Sequence, residues 1–227
     1  MAKAAVVLAE EIPLLPLHVV LFPGMMLPLH IFEEQYKLMV NRCLEGDRSF
    51  GVVSIRGADR EGVVVPHSVG TVAAIAKVEK LQDGEMNIVT VGERRFRLIE
   101  MLRREPYPTG LVEYLAPDQP MASALTDVSD TAIRLFRRHT ELLFAAAGRD
   151  APRIKVPAEP EPLSYLIAAN MRVSLEQKQL LLEAESARER LEMEIQALRI
   201  ENDTLKAILE TAGPLPQPPD APDEDDD

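Results

Sequence analysis

Histidine, cysteine and serine provide most catalytic and metal-binding side chains, and here none of them occurs at the spacing that such sites require. The four histidines are His18, His30, His67 and His139. No two of them form a His-x3-His pair, and none is paired with the single cysteine, as zinc ligands would be. His18 and His30 flank a Pro-Gly pair and are interpreted as strand residues with polar tips. We expect no metal site.

Catalytic motifs are absent from the sequence as well. A phosphate-binding Walker A loop requires Gly-x4-Gly-Lys-Ser/Thr, and the sequence contains no Gly-Lys pair. Neither Gly-x-Ser-x-Gly nor Ser-x-x-Lys occurs, so no serine lies in a nucleophile motif. We therefore expect no enzymatic activity, no catalytic residues and no cofactor.

Two groups of arginines are candidates for binding nucleic acid. They are Arg94, Arg95, Arg97, Arg103 and Arg104 in the first group, and Arg134, Arg137 and Arg138 in the second. Glu93 and Glu100 lie among the first group, and Phe96 is the one aromatic residue within it, whereas RNA recognition uses aromatic stacking. The first group is therefore interpreted as a solvated strand face. RNA or nucleotide binding through Arg94, Arg95 and Arg97 is the alternative.

The composition is that of a globular protein with a strongly acidic end. The 227 residues are 46% hydrophobic and carry a net charge of −12, and six of the acidic residues lie in the Pro-rich segment 214–227. Such a segment buries too little apolar surface to fold, so a disordered acidic tail is predicted there. The rest of the chain is mildly acidic, which argues against general affinity for nucleic acid.

Nothing in the sequence predicts secretion or membrane insertion. No apolar run approaches the roughly 20 residues that a transmembrane helix needs, and the apolar piece near the N-terminus is too short for a signal peptide. Cys43 is the single cysteine, lies on the apolar face of a predicted helix and is interpreted as a buried structural thiol. These features predict a cytoplasmic protein without membrane contact.

The first half of the chain has the pattern of a small β-barrel with one helix. Prolines interrupt the apolar segments 14–22 and 25–31, and Pro23-Gly24 predicts a turn between these two strands. Helical spacing follows over residues 32–44. Many short strands joined by local turns favour a closed or nearly closed barrel. The further strands are predicted at 50–55, 63–65, 70–81, 86–91, 94–101 and 107–115, with a hairpin turn at Asp83-Gly84 and 86–91 paired with 94–101.

The second half of the chain is predicted to be helical. Helices are expected at 122–147 and 163–171, separated by a loop at 148–162 that contains four prolines. Ser174 and Gln177 form a capping-box pattern that starts a last helix, which runs without a breaker to residue 212. The predicted organisation is an N-terminal extension at 1–9, a barrel at 10–118, a helical subdomain at 119–213 and the tail at 214–227.

The stretch LLPLHVVLFPGMMLPLHIFEEQY, residues 14–36, resembles the N-terminal domain of Lon-type ATP-dependent proteases, which is also found as a free-standing protein. The resemblance continues through GTVAAIAKV and GERRFRLIEM and, more weakly, over residues 162–191. It covers residues 10 to 195. It implies an α+β fold in which a PUA-like small β-barrel with one helix precedes a C-terminal helical bundle with a long last helix.

The resemblance also implies polypeptide recognition without catalysis, because the corresponding region of Lon resembles a module that selects substrates and partners. A free-standing version would be an adaptor or holdase, with unfolded or partly folded polypeptides as clients and a full-length Lon-type protease as a further partner. From the residues themselves, the candidate client contacts are Met25, Met26, Leu27 and Tyr107. Flexible apolar side chains suit a surface that binds diverse unfolded segments.

The last predicted helix carries a heptad pattern. Its a and d positions are Leu191, Ile195, Leu198, Asn202, Leu205 and Leu209. A single Asn at an a position favours two-stranded coiled coils, so the pattern fits a parallel homodimer. The alternative is a monomer in which this helix packs inside its own bundle. A structural dimerisation protein is therefore a third hypothesis for the function.

Overall fold

The computed structural model describes residues 9–117 and 125–212. The first range is a β-barrel with one helix and the second is helical, which confirms the predicted α+β fold. The predicted N-terminal extension, the boundary near residue 118 and the acidic tail lie almost entirely outside the described residues.

Eleven helices and strands make up the described residues, apart from a short 3-10 turn at Gln82–Gly84. The barrel contains β1 Glu10–Leu17, β2 Met26–Ile31, α1 Glu34–Glu45, β3 Ser49–Ala58, β4 Val64–Lys80, β5 Met86–Arg103 and β6 Thr109–Tyr114. The bundle contains α2 Thr126–Ala146, α3 Pro160–Asn170, α4 Leu175–Glu183 and α5 Ala187–Ala212.

The six strands form one sheet that closes on itself. The strand order is β2-β5-β4-β3-β1-β6, and β6 also pairs with β5. β1 and β3 are parallel, whereas the other pairs are antiparallel. The first part of β5 pairs with β2 and its last part pairs with β6. α1 packs against the barrel core through Met39, Val40 and Cys43.

Two strands are longer than the sequence predicts. β4, at Val64–Lys80, joins most of the strands predicted at 63–65 and 70–81 into one. β5 spans those predicted at 86–91 and 94–101, so the second predicted hairpin was wrong. The register between β4 and β5 shifts where β5 holds one extra residue, and such a bulge lets a strand continue although its alternation is broken. The hairpin turn at Asp83-Gly84 is confirmed, since it connects β4 to β5.

The predicted last helix, from residue 174 to 212, is interrupted. α4 ends at Glu183 and α5 begins at Ala187. Ala184 has extended backbone dihedrals, and its carbonyl accepts hydrogen bonds from the guanidinium groups of Arg95 and Arg190. Carbonyls at the end of a helix have no partner within it, so these bonds stabilise the break.

The starts of α3 and α4 follow local sequence rules. α3 begins at Pro160, earlier than predicted, because proline is tolerated in the first turn of a helix, where its missing N–H needs no partner. The capping box at α4 is confirmed, with Gln177 N donating to Ser174 Oγ and Ser174 N donating to Gln177 Oε1.

The barrel and the bundle share a hydrophobic core. Val20, Phe22 and Val69 of the barrel belong to the same buried cluster as Leu163 and Leu191 of the bundle. A polar contact supports the same junction. Gln179 of α4 is buried, and its Nε2 donates a hydrogen bond to the Val69 carbonyl at 3.1 Å. The two parts therefore hold each other in a fixed arrangement.

Candidate functional site

A groove of about 1040 Å³ lies where the barrel meets the bundle. One wall comes from the barrel: the turn before β2, part of β5 and the segment after β6. The other wall comes from α3 and the loop before it. The lining side chains include Met25, Met26, Arg94, Tyr114, Tyr165 and Leu166. A concave and largely apolar surface of this size can bury several side chains of a bound chain.

The turn before β2 places two methionines at the groove. Met25 N donates to the Phe22 carbonyl at 3.0 Å, and Gly24 has φ of 79°, as in a type II turn with Pro23 at its second position. This φ lies in the left-handed region that favours glycine. Met26 follows the turn with 68% of its surface exposed, whereas Met25 is half-buried.

Gly92 of β5 anchors this turn to the barrel. Its N–H donates to the Met25 carbonyl at 2.9 Å, and its carbonyl accepts from Gly24 N at 2.8 Å. A Cβ at Gly92 would lie 2.3 Å from the Phe22 carbonyl oxygen, so only glycine allows this close approach. The turn and β5 therefore form one continuous wall.

The bulge in β5 brings a charged side chain to the same wall. β5 holds an extra residue between Gly92 and Arg95, opposite Thr71 and Ala73 of β4. A bulge re-aims side chains, and Arg94 lies with its guanidinium carbon 3.4 Å from the centroid of the Tyr114 ring. Burial raises the pKa of the Tyr114 hydroxyl, so this ring stays neutral and suited to stacking.

Tyr165 of α3 forms the opposite wall. Its ring lies 6.5 Å from that of Phe22, and its hydroxyl donates to Glu161 Oε1 at 3.0 Å. Burial raises the pKa of Tyr165 to about 12. The hydroxyl is therefore a hydrogen-bond donor at neutral pH, and it holds Glu161 in place.

Two buried arginines fix the walls of the groove from beneath. Arg95 Nη1 donates to the carbonyls of Leu182 and Ala184, each at 2.7 Å. Arg190 is fully buried and lies 4.3 Å from the Tyr165 ring centroid, with Nε donating to a carbonyl of α4 at 2.7 Å. Buried cations are stable only when they are hydrogen-bonded, and both guanidinium groups donate to backbone carbonyls here. Arg95 is therefore a junction residue and is too buried to contact phosphate, contrary to the RNA alternative.

A comparison with protein families identifies the chain. The sequence profile of the ATP-dependent protease La (LON) substrate-binding domain matches residues 11–199, which contain both walls of the groove. This chain belongs to the Lon substrate-binding domain family. The resemblance first seen in residues 14–36 is thereby confirmed.

Curated relatives of this Lon-family chain are longer proteases. Lon protease 2 of Myxococcus xanthus is 30% identical over an alignment of 203 residues, with 87% of this chain and 24% of the relative covered. The Lon protease of Syntrophus aciditrophicus is 32% identical over 195 residues, covering 81% of this chain and 24% of the relative. The chain thus spans about a quarter of the length of the curated relatives that it matches.

Solved structures support the same fold. The Lon N-terminal domain protein from Xanthomonas campestris has a TM-score of 0.58 and 27% identity, covering 81% of this chain and 95% of that one. The N-terminal domain of a Mycobacterium avium complex Lon protease has a TM-score of 0.57 at 21% identity, over 84% of this chain and 98% of that one. The second likeness concerns the fold alone.

The structure separates the four candidate client contacts of this Lon-family domain. Met25 and Met26 line the groove. Leu27 and Tyr107 lie instead in the barrel core, with 9% and 8% of their surfaces exposed. Leu27 alternates inward along β2 next to Met26, and the Tyr107 hydroxyl accepts a hydrogen bond from Arg42 at 3.2 Å. We therefore leave Leu27 and Tyr107 out of the candidate surface.

Sequence reasoning did not find the two tyrosines of the groove. Tyr114 ends β6 close to the Pro-rich boundary, and Tyr165 follows Pro162 in a short apolar helix. The available signal was an aromatic residue three positions from a proline, Pro117 for Tyr114 and Pro162 for Tyr165. Arg94 was noted, but as part of a basic cluster and not as the neighbour of Tyr114.

The heptad residues of α5 mostly face the chain's own bundle. Leu191, Leu198 and Asn202 are buried, whereas Ile195, Leu205 and Leu209 are half-buried. Asn202 Nδ2 donates to the Leu135 carbonyl of α2 at 3.1 Å, and its Oδ1 lies 3.0 Å from His139 Nδ1. The buried amide therefore has partners within the chain, as in the alternative monomeric arrangement. The parallel homodimer stays a prediction.

Within residues 9–117 and 125–212, no group of three or more histidine, cysteine or acidic side chains could hold a metal ion. Cys43 is buried, and burial raises the pKa of its thiol to about 11, which keeps it unreactive. None of the described helices combines the length and the apolar character needed to cross a membrane.

Proposed function

We propose that this Lon-family chain is a polypeptide-recognition module that binds apolar segments of unfolded or partly folded proteins in the groove between barrel and bundle, without catalysis of its own. The observation that carries the proposal is the exposure of Met26 on a rigid turn at the rim of an apolar groove. Membership of a substrate-binding domain family supports the same conclusion.

The physical reason lies in the contrast between a fixed frame and adaptable side chains. Backbone hydrogen bonds between the turn and Gly92 hold the groove wall in place. Methionine side chains are flexible and polarisable, so Met25 and Met26 can fit side chains of different shapes. A surface of this kind binds many sequences with modest affinity.

Two finer roles follow from the same groove. A module that transfers its client to a full-length Lon-type protease would be an adaptor, and one that retains its client would be a holdase. Adding the purified chain to a Lon protease with a labelled unfolded client distinguishes them. Faster client degradation supports the adaptor role, and slower degradation with less aggregation supports the holdase role.

The groove is tested most directly by Met26→Ser, with Ile200→Ser as the matched control. Ile200 lies on α5 outside the groove and is exposed to a similar extent, 70% against 68% for Met26. The probe is fluorescently labelled, reduced and carboxymethylated lactalbumin, and binding is measured by anisotropy. Burying a methionine contributes about 1.5–3 kcal/mol, so Met26→Ser should weaken binding about tenfold or more.

Stability measurements accompany the binding assay. Both positions are exposed, so each substitution should change the free energy of unfolding by less than about 0.5 kcal/mol. Equal binding by the two variants and the wild type would show that clients bind elsewhere. The non-catalytic part of the proposal has its own test. It would be contradicted if the purified chain hydrolysed ATP or casein and a point substitution in the chain abolished that activity.

A further inference from the structure

Arg94 is an exposed cation at the rim of the groove. Its guanidinium carbon lies 3.4 Å from the centroid of the Tyr114 ring. Among the described residues, no carboxylate forms an ion pair with it. Stacking uses the face of a guanidinium and leaves the N–H groups at its edge directed outward.

The other charged groups lining the groove are arranged differently. Arg95 is buried and donates to the carbonyls at the α4–α5 break. Glu161 accepts the hydrogen bond of the Tyr165 hydroxyl. Glu93 is exposed and neighbours Arg94 in the bulge. Arg94 is therefore the groove cation that faces solvent.

We propose that Arg94 is a specificity-determining residue that selects clients carrying a carboxylate beside their apolar side chains. This inference rests on the proposed function of the groove. The apolar side chains contact Met25, Met26 and the tyrosines, while the carboxylate accepts two parallel hydrogen bonds from the edge of the Arg94 guanidinium. Arginine suits this task because its planar fork matches a carboxylate and its stacking on Tyr114 fixes the orientation of that fork.

The net charge of the whole chain opposes a preference for acidic clients, so such a preference would indicate a local contact. At −12, the chain repels acidic ligands at long range. At about 0.15 M salt the screening length is roughly 8 Å, so distant charges contribute little and a close Arg94 contact dominates. A preference for acidic clients therefore cannot come from the overall charge.

The test uses labelled peptides that share one extended apolar sequence and differ in charge. The first carries an internal Asp and an amidated C-terminus, the second an internal Asn and a free C-terminal carboxylate, the third an internal Asn and an amide, and the fourth an internal Lys and an amide. Binding to the full chain is measured by anisotropy. A bidentate charged contact should favour one or both carboxylate peptides over the neutral one about tenfold. The first two peptides distinguish a side-chain carboxylate from a C-terminal one.

Variants identify the residue responsible. Arg94→Gln should reduce the preference to less than about twofold, while Arg97→Gln, an exposed arginine of the same strand outside the groove, should keep it. Arg94→Lys keeps the charge without the planar fork and should retain only part of the preference. The peptide series on the wild-type chain tests the proposal even if a variant folds poorly.

Three outcomes overturn the inference. Equal binding of neutral and acidic peptides, with Met26→Ser still weakening both, removes the role of Arg94 and leaves the groove intact as the client site. If the Lys peptide binds best and Glu93→Gln abolishes that preference, Glu93 is the residue that selects the clients. Failure of every peptide to bind contradicts the proposed function together with this inference.

Discussion

Arg95 is expected to be the side chain on which the junction between barrel and bundle depends most. It is buried in β5, and its Nη1 lies 2.7 Å from each of the carbonyl oxygens of Leu182 and Ala184. These carbonyls belong to the end of α4, where the negative end of the helix dipole favours a cation. The substitution Arg95→Ala removes the donor and leaves the barrel and α4 without this bridge.

The expected loss of stability follows from the hydrogen bonds that the two carbonyls keep after the substitution. The Ala184 carbonyl keeps a hydrogen bond from Arg190 Nη2 at 3.2 Å, whereas Arg95 is the side chain that binds the Leu182 carbonyl. A hydrogen bond to a charged group contributes about 1.5–3 kcal/mol, and a buried carbonyl left unpaired costs about 1–3 kcal/mol. Arg95→Ala should therefore lower the free energy of unfolding by about 3 kcal/mol.

Urea unfolding followed by far-UV circular dichroism measures this loss. Arg97→Ala is the control, because Arg97 is exposed on the same strand and its removal should cost less than about 0.5 kcal/mol. A loss equal to that of Arg97→Ala would refute the assigned role of Arg95.

Three further substitutions have defined outcomes. Gly92→Ala should destabilise the chain by about 2 kcal/mol or more, because its Cβ would collide with the Phe22 carbonyl. Gly57→Ala is the control, since a Cβ there meets nothing within 4 Å and should leave urea unfolding nearly unchanged. Burial raises the pKa of Glu194 well above its ordinary value of 4.5, so the folded state keeps a proton that the unfolded chain loses, and stability should fall as pH rises from 4.5 to the folded pKa. Glu194→Gln should reduce this pH dependence, whereas Glu192→Gln at an exposed site should not. Part of the slope should persist because burial also raises the pKa of Glu201, so an unchanged slope would contradict the assignment. Asn202→Leu should cost about 1–3 kcal/mol because it removes two hydrogen bonds to α2, and sedimentation should show no gain in mass; a gain would favour the homodimer.

The sequence alone determined the fold class and most local features of this Lon-family domain. Pro23-Gly24 specified the turn before β2, Asp83-Gly84 specified the hairpin between β4 and β5, and Ser174 with Gln177 specified the start of α4. Each of these features depends on residues within a few positions of one another, so backbone dihedral preferences and local hydrogen bonds are sufficient to predict it.

The tertiary structure decided the features that depend on distant partners. Ser186 and Glu189 form a local pattern for the start of α5, with Glu189 N donating to Ser186 Oγ at 3.2 Å. The end of α4 just before it is stabilised by Arg95, 89 residues away from Ala184, which no local pattern predicts. Asn202 donates to the Leu135 carbonyl of α2, 67 residues away in the sequence. The same heptad pattern suits both packings, because periodicity specifies which face of a helix is apolar but not which helix covers it.

The candidate site shows the same division most clearly. The composition of the turn sequence indicated that Met25 and Met26 are adaptable apolar residues, but alternation along β2 exposes Met26 and buries Leu27, which depends on the pairing of β2 with β5. Tyr114 and Tyr165 lie far apart in the sequence, and the packing of the bundle against the barrel, with Tyr165 beside Phe22, brings them to one groove. Local chemistry therefore supplied the side chains, and long-range packing decided which of them meet.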